Sequence, residues 1–177
     1  MTYKLVAAAL LTALVAGCGS SSTAQFAPAC PRAGILSDAA DLARYRPGGG
    51  RDLTDQIVEG HVTGVNGSCT YGKTQRDLET KVTMSFTLTR GPAASPTREE
   101  DVSVFVALTQ GDAMIDKKTY PIHVKFPDST ETVRLTSPEV VLSMPISVDM
   151  SGAAYAVTVG FQLTPDELDA NRARRGR

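Results

Sequence analysis

The chain has 177 residues, 42% apolar and 21% charged, a make-up that fits a folded domain and excludes both a disordered polymer and a many-span membrane protein. Eighteen basic residues against nineteen acidic ones exclude the uniformly basic face that nucleic-acid binding needs. Three cysteines, two histidines and no tryptophan leave little material for a metal cage or a catalytic cluster, so no cofactor and no metal are expected.

Residues 1–17 read as a secretory signal. Lys4 is followed by the apolar run Leu5-Val6-Ala7-Ala8-Ala9-Leu10-Leu11 and then Leu14-Val15-Ala16-Gly17. The run is shorter than the roughly 20 residues a helix needs to cross a bilayer, so the segment is a leader to be removed rather than a span. Val15-Ala16-Gly17-Cys18 resembles the lipobox of bacterial lipoproteins, with Val where Leu is commoner. That resemblance implies lipid on the Cys18 thiol, cleavage before it and acylation of the new amino group, with residues 18–29 as lipidated cysteine and tether. Several acyl chains hold a protein firmly where one binds only marginally. Gly19 stands where Asp would retain a Gram-negative lipoprotein in the inner membrane, which implies the periplasmic face of the outer membrane. An ordinary exported protein, cut at a nearby alanine-rich site and left with an odd thiol at Cys18, is the alternative.

Past Cys30 the first element is 38–45 (Asp-Ala-Ala-Asp-Leu-Ala-Arg-Tyr), which can make a helical turn, followed by the loop Arg46-Pro47-Gly48-Gly49-Gly50-Arg51. The glycines lack the Lys and Ser/Thr of a phosphate cradle. Period-two alternation then takes over. Val58 and Val62 alternate with Glu59, His61 and Thr63; Asn66-Gly67 is the strongest hairpin signal; and in 78–88 every even residue from Leu78 to Leu88 faces a core while Glu79, Lys81, Thr83, Ser85 and Thr87 face water. After the loop at 91–96, Glu99-Glu100-Asp101 reads as a solvated, aggregation-blocking loop edge. Residues 102–108 are apolar on both faces, which predicts a central strand. Alternation returns in 119–126, 140–148 and 155–163, separated by turn residues at 110–112, 127–129 and 151–152. Thr164-Pro165-Asp166-Glu167-Leu168 opens a short helix, with Thr164 as cap and Pro165 at the first helical position.

These elements predict an all-β fold: an immunoglobulin-like antiparallel β-sandwich of seven to nine strands over residues 30–169, closed by a short C-terminal helix. Residues 170–177 read as a basic disordered tail. Up to Asp169 the mature chain carries thirteen basic against nineteen acidic residues, so the tail's Arg172, Arg174, Arg175 and Arg177 are the candidates for contact with an anionic surface.

With Cys18 lipidated, Cys30 and Cys69 remain as an even pair in an oxidising compartment, and a structural disulfide is their simplest use. A redox pair needs a closer Cys-x-x-Cys spacing. His61 and His123 sit on outward positions and meet only if their strands are neighbours. They lack a third ligand at a recognisable spacing.

Val102-Ser103-Val104-Phe105-Val106-Ala107-Leu108, the downstream Lys117-Lys118, and the ending Gly160-Phe161-Gln162-Leu163-Thr164-Pro165-Asp166-Glu167-Leu168 resemble uncharacterised proteobacterial envelope lipoproteins. The resemblance implies no activity and no catalytic residues. The expected function is a membrane-anchored, non-catalytic binding or scaffolding module whose partners are envelope proteins or the cell wall. A small-ligand carrier or small envelope enzyme is the alternative.

Overall fold

The computed structural model describes residues 28–175. Cys18, the signal segment, Arg177 and the side chain of Arg175 lie outside the described residues. Nine strands and a terminal helix follow in chain order: β1 (Arg32–Ile35), β2 (Asp41–Tyr45), β3 (Gln56–Tyr71), β4 (Asp77–Arg90), β5 (Glu99–Gln110), β6 (Ala113–Lys125), β7 (Thr132–Thr136), β8 (Val140–Pro145), β9 (Tyr155–Phe161) and α1 (Pro165–Arg175). One sheet runs β1-β9-β5-β6 and the other β2-β3-β4-β7, with β8 also paired to β4. The chain changes sheet between β1 and β2, between β4 and β5, between β6 and β7 and between β8 and β9. β4 thereby pairs with β7 and β8 while β5 pairs with β9, the cross-sheet arrangement of immunoglobulin sandwiches. One ladder departs from the antiparallel expectation, because β1 runs parallel to β9.

The alternation in β4 becomes burial. Leu78, Thr80, Val82, Met84, Phe86 and Leu88 are all buried, and they meet Val102, Val104, Val106 and Leu108 of β5 and Val157, Val159 and Phe161 of β9 across the sandwich. Phe86 and Phe161 pack edge to face with centroids 5.8 Å apart, the geometry that ring quadrupoles favour. Gly60 is required there, since a Cβ on it would lie 2.7 Å from Phe161 Cζ and 2.8 Å from Leu88 Cδ2. β5 is central as expected, with Phe105 and Ala107 packed on its other face against Ala39.

Four expectations are corrected. Asn66-Gly67 is no hairpin turn: both residues lie inside β3, opposite Thr83 and Val82, and the chain reverses at residues 72–76, where Gly72 N–H donates to Asp77 O at 2.9 Å. The register shift between Val62 and Gly64 moves the inward phase from even to odd residues, so Val65 and Cys69 continue the buried face. The helical turn expected over 38–45 is only a 3-10 turn at Ser37–Ala39, because 41–45 find strand partners in β3. Glu99-Glu100-Asp101 is not a loop edge but the start of β5, with Glu99 opposite Lys125 and Asp101 opposite His123. Finally, the chain beyond residue 170 is not a disordered tail as far as it is described, for α1 continues to Arg175 and buries Asn171.

The registers also fix the two ends of the sandwich. Pro28, the turn at 72–76, the β5–β6 turn and the loop at 146–151 gather at one end. Loops 46–55, 91–98 and 126–131 and the start of α1 gather at the other.

Candidate functional site

The end opposite Pro28 is held by two arginine–carboxylate clusters. Asp52 caps a 3-10 turn at Leu53–Asp55, its Oδ1 accepting from Thr54 N–H at 2.9 Å and Asp55 N–H at 3.3 Å. That turn directs the Asp55 carboxylate back into the glycine-rich loop, where it accepts from Gly50 N–H at 2.6 Å and pairs with the Arg46 guanidinium. Position 49 has no room for a side chain, since a Cβ there would lie 2.8 Å from Asp55 Cγ, and Gly48 takes φ +74°. Arg46, with help from the Gly50 amide, holds the Asp55 carboxyl below the ordinary carboxylate range, against an opposing push from burial.

In the second cluster Glu131 lies between Arg98 Nη1 at 3.0 Å and Arg90 Nη1 at 3.3 Å, and these two cations, Arg98 first, lower its carboxyl in turn. Arg98 has a left-handed backbone, φ 59°, and its Nη2 donates at 2.8 Å to both Pro127 O and Thr130 O. A strained residue of this kind persists because its surroundings over-determine it. One side chain thus ties loop 91–98 to loop 126–131.

Beside the glycine-rich loop, α1 supplies the other wall of a cleft. Thr164 N–H donates to Glu167 Oε2 at 2.8 Å and Glu167 N–H to Thr164 Oγ1 at 3.3 Å, a reciprocal capping box. Arg44 joins α1 to both sheets, with Nε 3.3 Å from Glu167 Oε1 and Nη1 donating to Asp101 O at 2.8 Å. Further along the helix, Asn171 Nδ2 donates to Asp38 O at 3.0 Å and Asp41 O at 2.7 Å. Arg172 Nε lies 3.1 Å from Asp38 Oδ2.

Two hollows of about 270 and 260 Å³ run between loop and helix, sharing Tyr45, Arg51 and Ala170 in their walls. Arg44 and Arg46 are engaged in the scaffold. Arg51 and Arg174 have no carboxylate partner among the described residues; Arg174 Nη2 donates to Asn171 Oδ1 at 2.7 Å. Two guanidinium forks beside a phenol suit a carboxylate or phosphate, because the planar fork donates two parallel hydrogen bonds to such a group. The small Ala170 and Ala173 leave the space open on the helix side.

No protein-family model, curated protein or solved structure matches the chain.

Of the site residues expected from sequence, Cys30 and Cys69 stand at disulfide distance, their Cα atoms 5.7 Å apart, and fasten the segment before β1 to the far end of β3. Arg174 lines the cleft, whereas Arg172 is paired to Asp38 and Asp169 on the helix flank. His61 and His123 do not meet, since they belong to different sheets, and each binds its own carboxylate: Asp41 at 2.6 Å and Asp101 at 2.8 Å. Among the described residues, no group of three or more His, Cys, Asp or Glu side chains is placed to hold a metal ion. Sequence reasoning missed Tyr45, Arg51, Asp55 and Asn171. The paired arginines Arg46 and Arg51 around three glycines are the signal that the sequence carries for this loop.

A third hollow, an open groove of about 570 Å³, lies at the Pro28 end between Tyr71, Leu78, Ile146 and Val148.

Proposed function

We propose that the chain is a lipid-anchored, non-catalytic binding module of the cell envelope, held by acyl chains on Cys18 at the periplasmic face of the outer membrane. Its partner is an anionic group of an envelope protein or the cell wall, received between Arg51 and Arg174 at the end away from the anchor. The observation that carries this reading is the arrangement at that end: two guanidinium groups without carboxylate partners stand in a cleft whose loop and helix are held by Asp55, Arg44 and Asn171. Pre-ordered walls lower the entropy lost on association, which is what a module reading a partner needs.

A photo-activatable cross-linker placed at Arg51 in intact cells tests it. The expected result is an adduct to an envelope protein or cell-wall fragment that disappears when Arg174 is changed to Glu, while the same label at His61 gives none. Failure to capture either class of partner defeats the reading. The small-ligand carrier is favoured by one observation, the groove beside Tyr71 and Val148, whose volume falls in the roughly 300–1,000 Å³ range of small-molecule sites. A small molecule co-purifying with the protein and lost on Val148→Asp selects that alternative.

A further inference from the structure

Of the seven large apolar side chains exposed among the described residues, four stand at the Pro28 end: Tyr71, Met114, Ile115 and Val148. Val148 is 103% exposed, Met114 64% and Ile115 50%. The two on the β5–β6 hairpin are exposed side by side because of a register break. Leu108 pairs with Asp116 and Thr109 with Met114, which leaves Ile115 without a partner. The tip is joined to the neighbouring loop by Gln110, whose Nε2 lies 2.9 Å from Met150 Sδ, two residues from Val148. Val148 in turn shares a groove wall with Tyr71 and Pro28. Surface loops are ordinarily polar, and a continuous run of apolar tips at one end marks a contact.

The chain itself says what that contact is. Ten residues separate Pro28 from Cys18, so a lipid on Cys18 keeps Pro28 within roughly 36 Å of the bilayer at about 3.6 Å per residue. The geometry points to the membrane interface as the occupant: Met114, Ile115 and Val148 dip into the boundary between headgroups and acyl chains and set the sandwich upright, its arginine cleft facing away. This inference rests on acylation of Cys18. On the β5–β6 hairpin the contact is apolar rather than charge-driven, since its two lysines are engaged, Lys117 4.6 Å from the centroid of the Phe105 ring and Lys118 3.6 Å from Asp116, while the exposed Lys73 and Arg76 lie in the neighbouring turn at 72–76. Apolar side chains at the interface are held by burial and change little with salt.

The absence of tryptophan makes a clean test possible. Val148→Trp, Met114→Trp and, at the opposite end, Asp128→Trp are each introduced into the full chain. The mature proteins are placed in phosphatidylethanolamine–phosphatidylglycerol vesicles with brominated acyl chains, and the N-terminal acyl mass is verified on the same samples. The expected result is quenching of the first two several-fold stronger than of Asp128→Trp, unchanged in high salt. Acylated protein with equal quenching at all three positions overturns the docking and leaves the anchor standing. Loss of quenching in salt overturns the apolar contact. Emission shifted without bromolipid quenching means that a second copy covers the tips, and also overturns the proposal. An absent acyl mass defeats the anchor and this inference with it.

Discussion

Changing Asn171 to alanine tests whether α1 is a docked wall of the cleft or a dispensable end. Asn171 is 4% exposed, and its amide satisfies two main-chain carbonyls, Asp38 O at 3.0 Å and Asp41 O at 2.7 Å, while receiving Arg174 at 2.7 Å. Each neutral hydrogen bond contributes about 1 kcal/mol net, and a buried carbonyl left without its donor adds to the loss, so the change costs about 2–3 kcal/mol. An 11-residue helix has little stability of its own once undocked. The loss therefore falls first on α1, whose amides should exchange with solvent about 30- to 150-fold faster at roughly 1.4 kcal/mol per tenfold. Amides of β4 and β5 should change only as far as global stability does, seen as a fall of about 4–12 °C in melting temperature. Native-state hydrogen exchange followed by mass spectrometry reads both. Exchange in α1 within threefold of wild type would refute the reasoning, because it would mean that packing, not these two hydrogen bonds, holds the helix.

The Cys30–Cys69 link closes a 39-residue separation, and on the chain-entropy account its removal by Cys30→Ser with Cys69→Ser costs about 4 kcal/mol, read by urea unfolding. Two free thiols in protein isolated from the envelope would remove the basis for that number. Asp55 and Glu131 both titrate below their ordinary range, so the stability they lend is complete above those ordinary values, near pH 4–5, and is lost as pH falls through the lowered ones. Acid titration should therefore loosen loops 46–55 and 126–131. Asp55→Asn should flatten its share of the acid limb, and an unchanged limb would count against the assignment. Cys18→Ala should release the domain from the membrane fraction or leave the leader uncut; an anchored protein, cut normally and without acyl mass, would contradict lipidation.

The alternation in 78–88 was legible because β4 lies against β3 on one edge and β7 and β8 on the other, and one of its faces is core along its length. β3 was half legible: the register shift after Val62 switches the inward phase, so a strict period-two reading loses the strand where it continues, and Asn66-Gly67 then looks like a turn. Local turn preference at those two residues is outweighed by an unbroken ladder to Thr83 and Val82. The end of the chain was misread for a related reason. Arg172, Arg174 and Arg175 make the segment look solvated, but Asn171 is buried by carbonyls of Asp38 and Asp41, more than a hundred residues away in sequence. Asp55 was invisible for the same cause, because nothing local distinguishes a carboxylate folded back on Gly50 from one in water.

The parallel pairing of β1 with β9 also has a mechanical side. β1 is four residues long and would unzip early if the N-terminal segment were pulled away from the opposite end of the sandwich. The Cys30–Cys69 link takes that load before it reaches β1 and passes it to the far end of β3. There the tension runs along the strand axis, so β3 can leave β4 only by sliding the whole ladder from Tyr71 back to Val58 at once rather than opening it rung by rung. A pull between Cys30 and the opposite end of the sandwich is thus met in shear by the longest strand pair among the described residues, and the short strand at the entrance is spared.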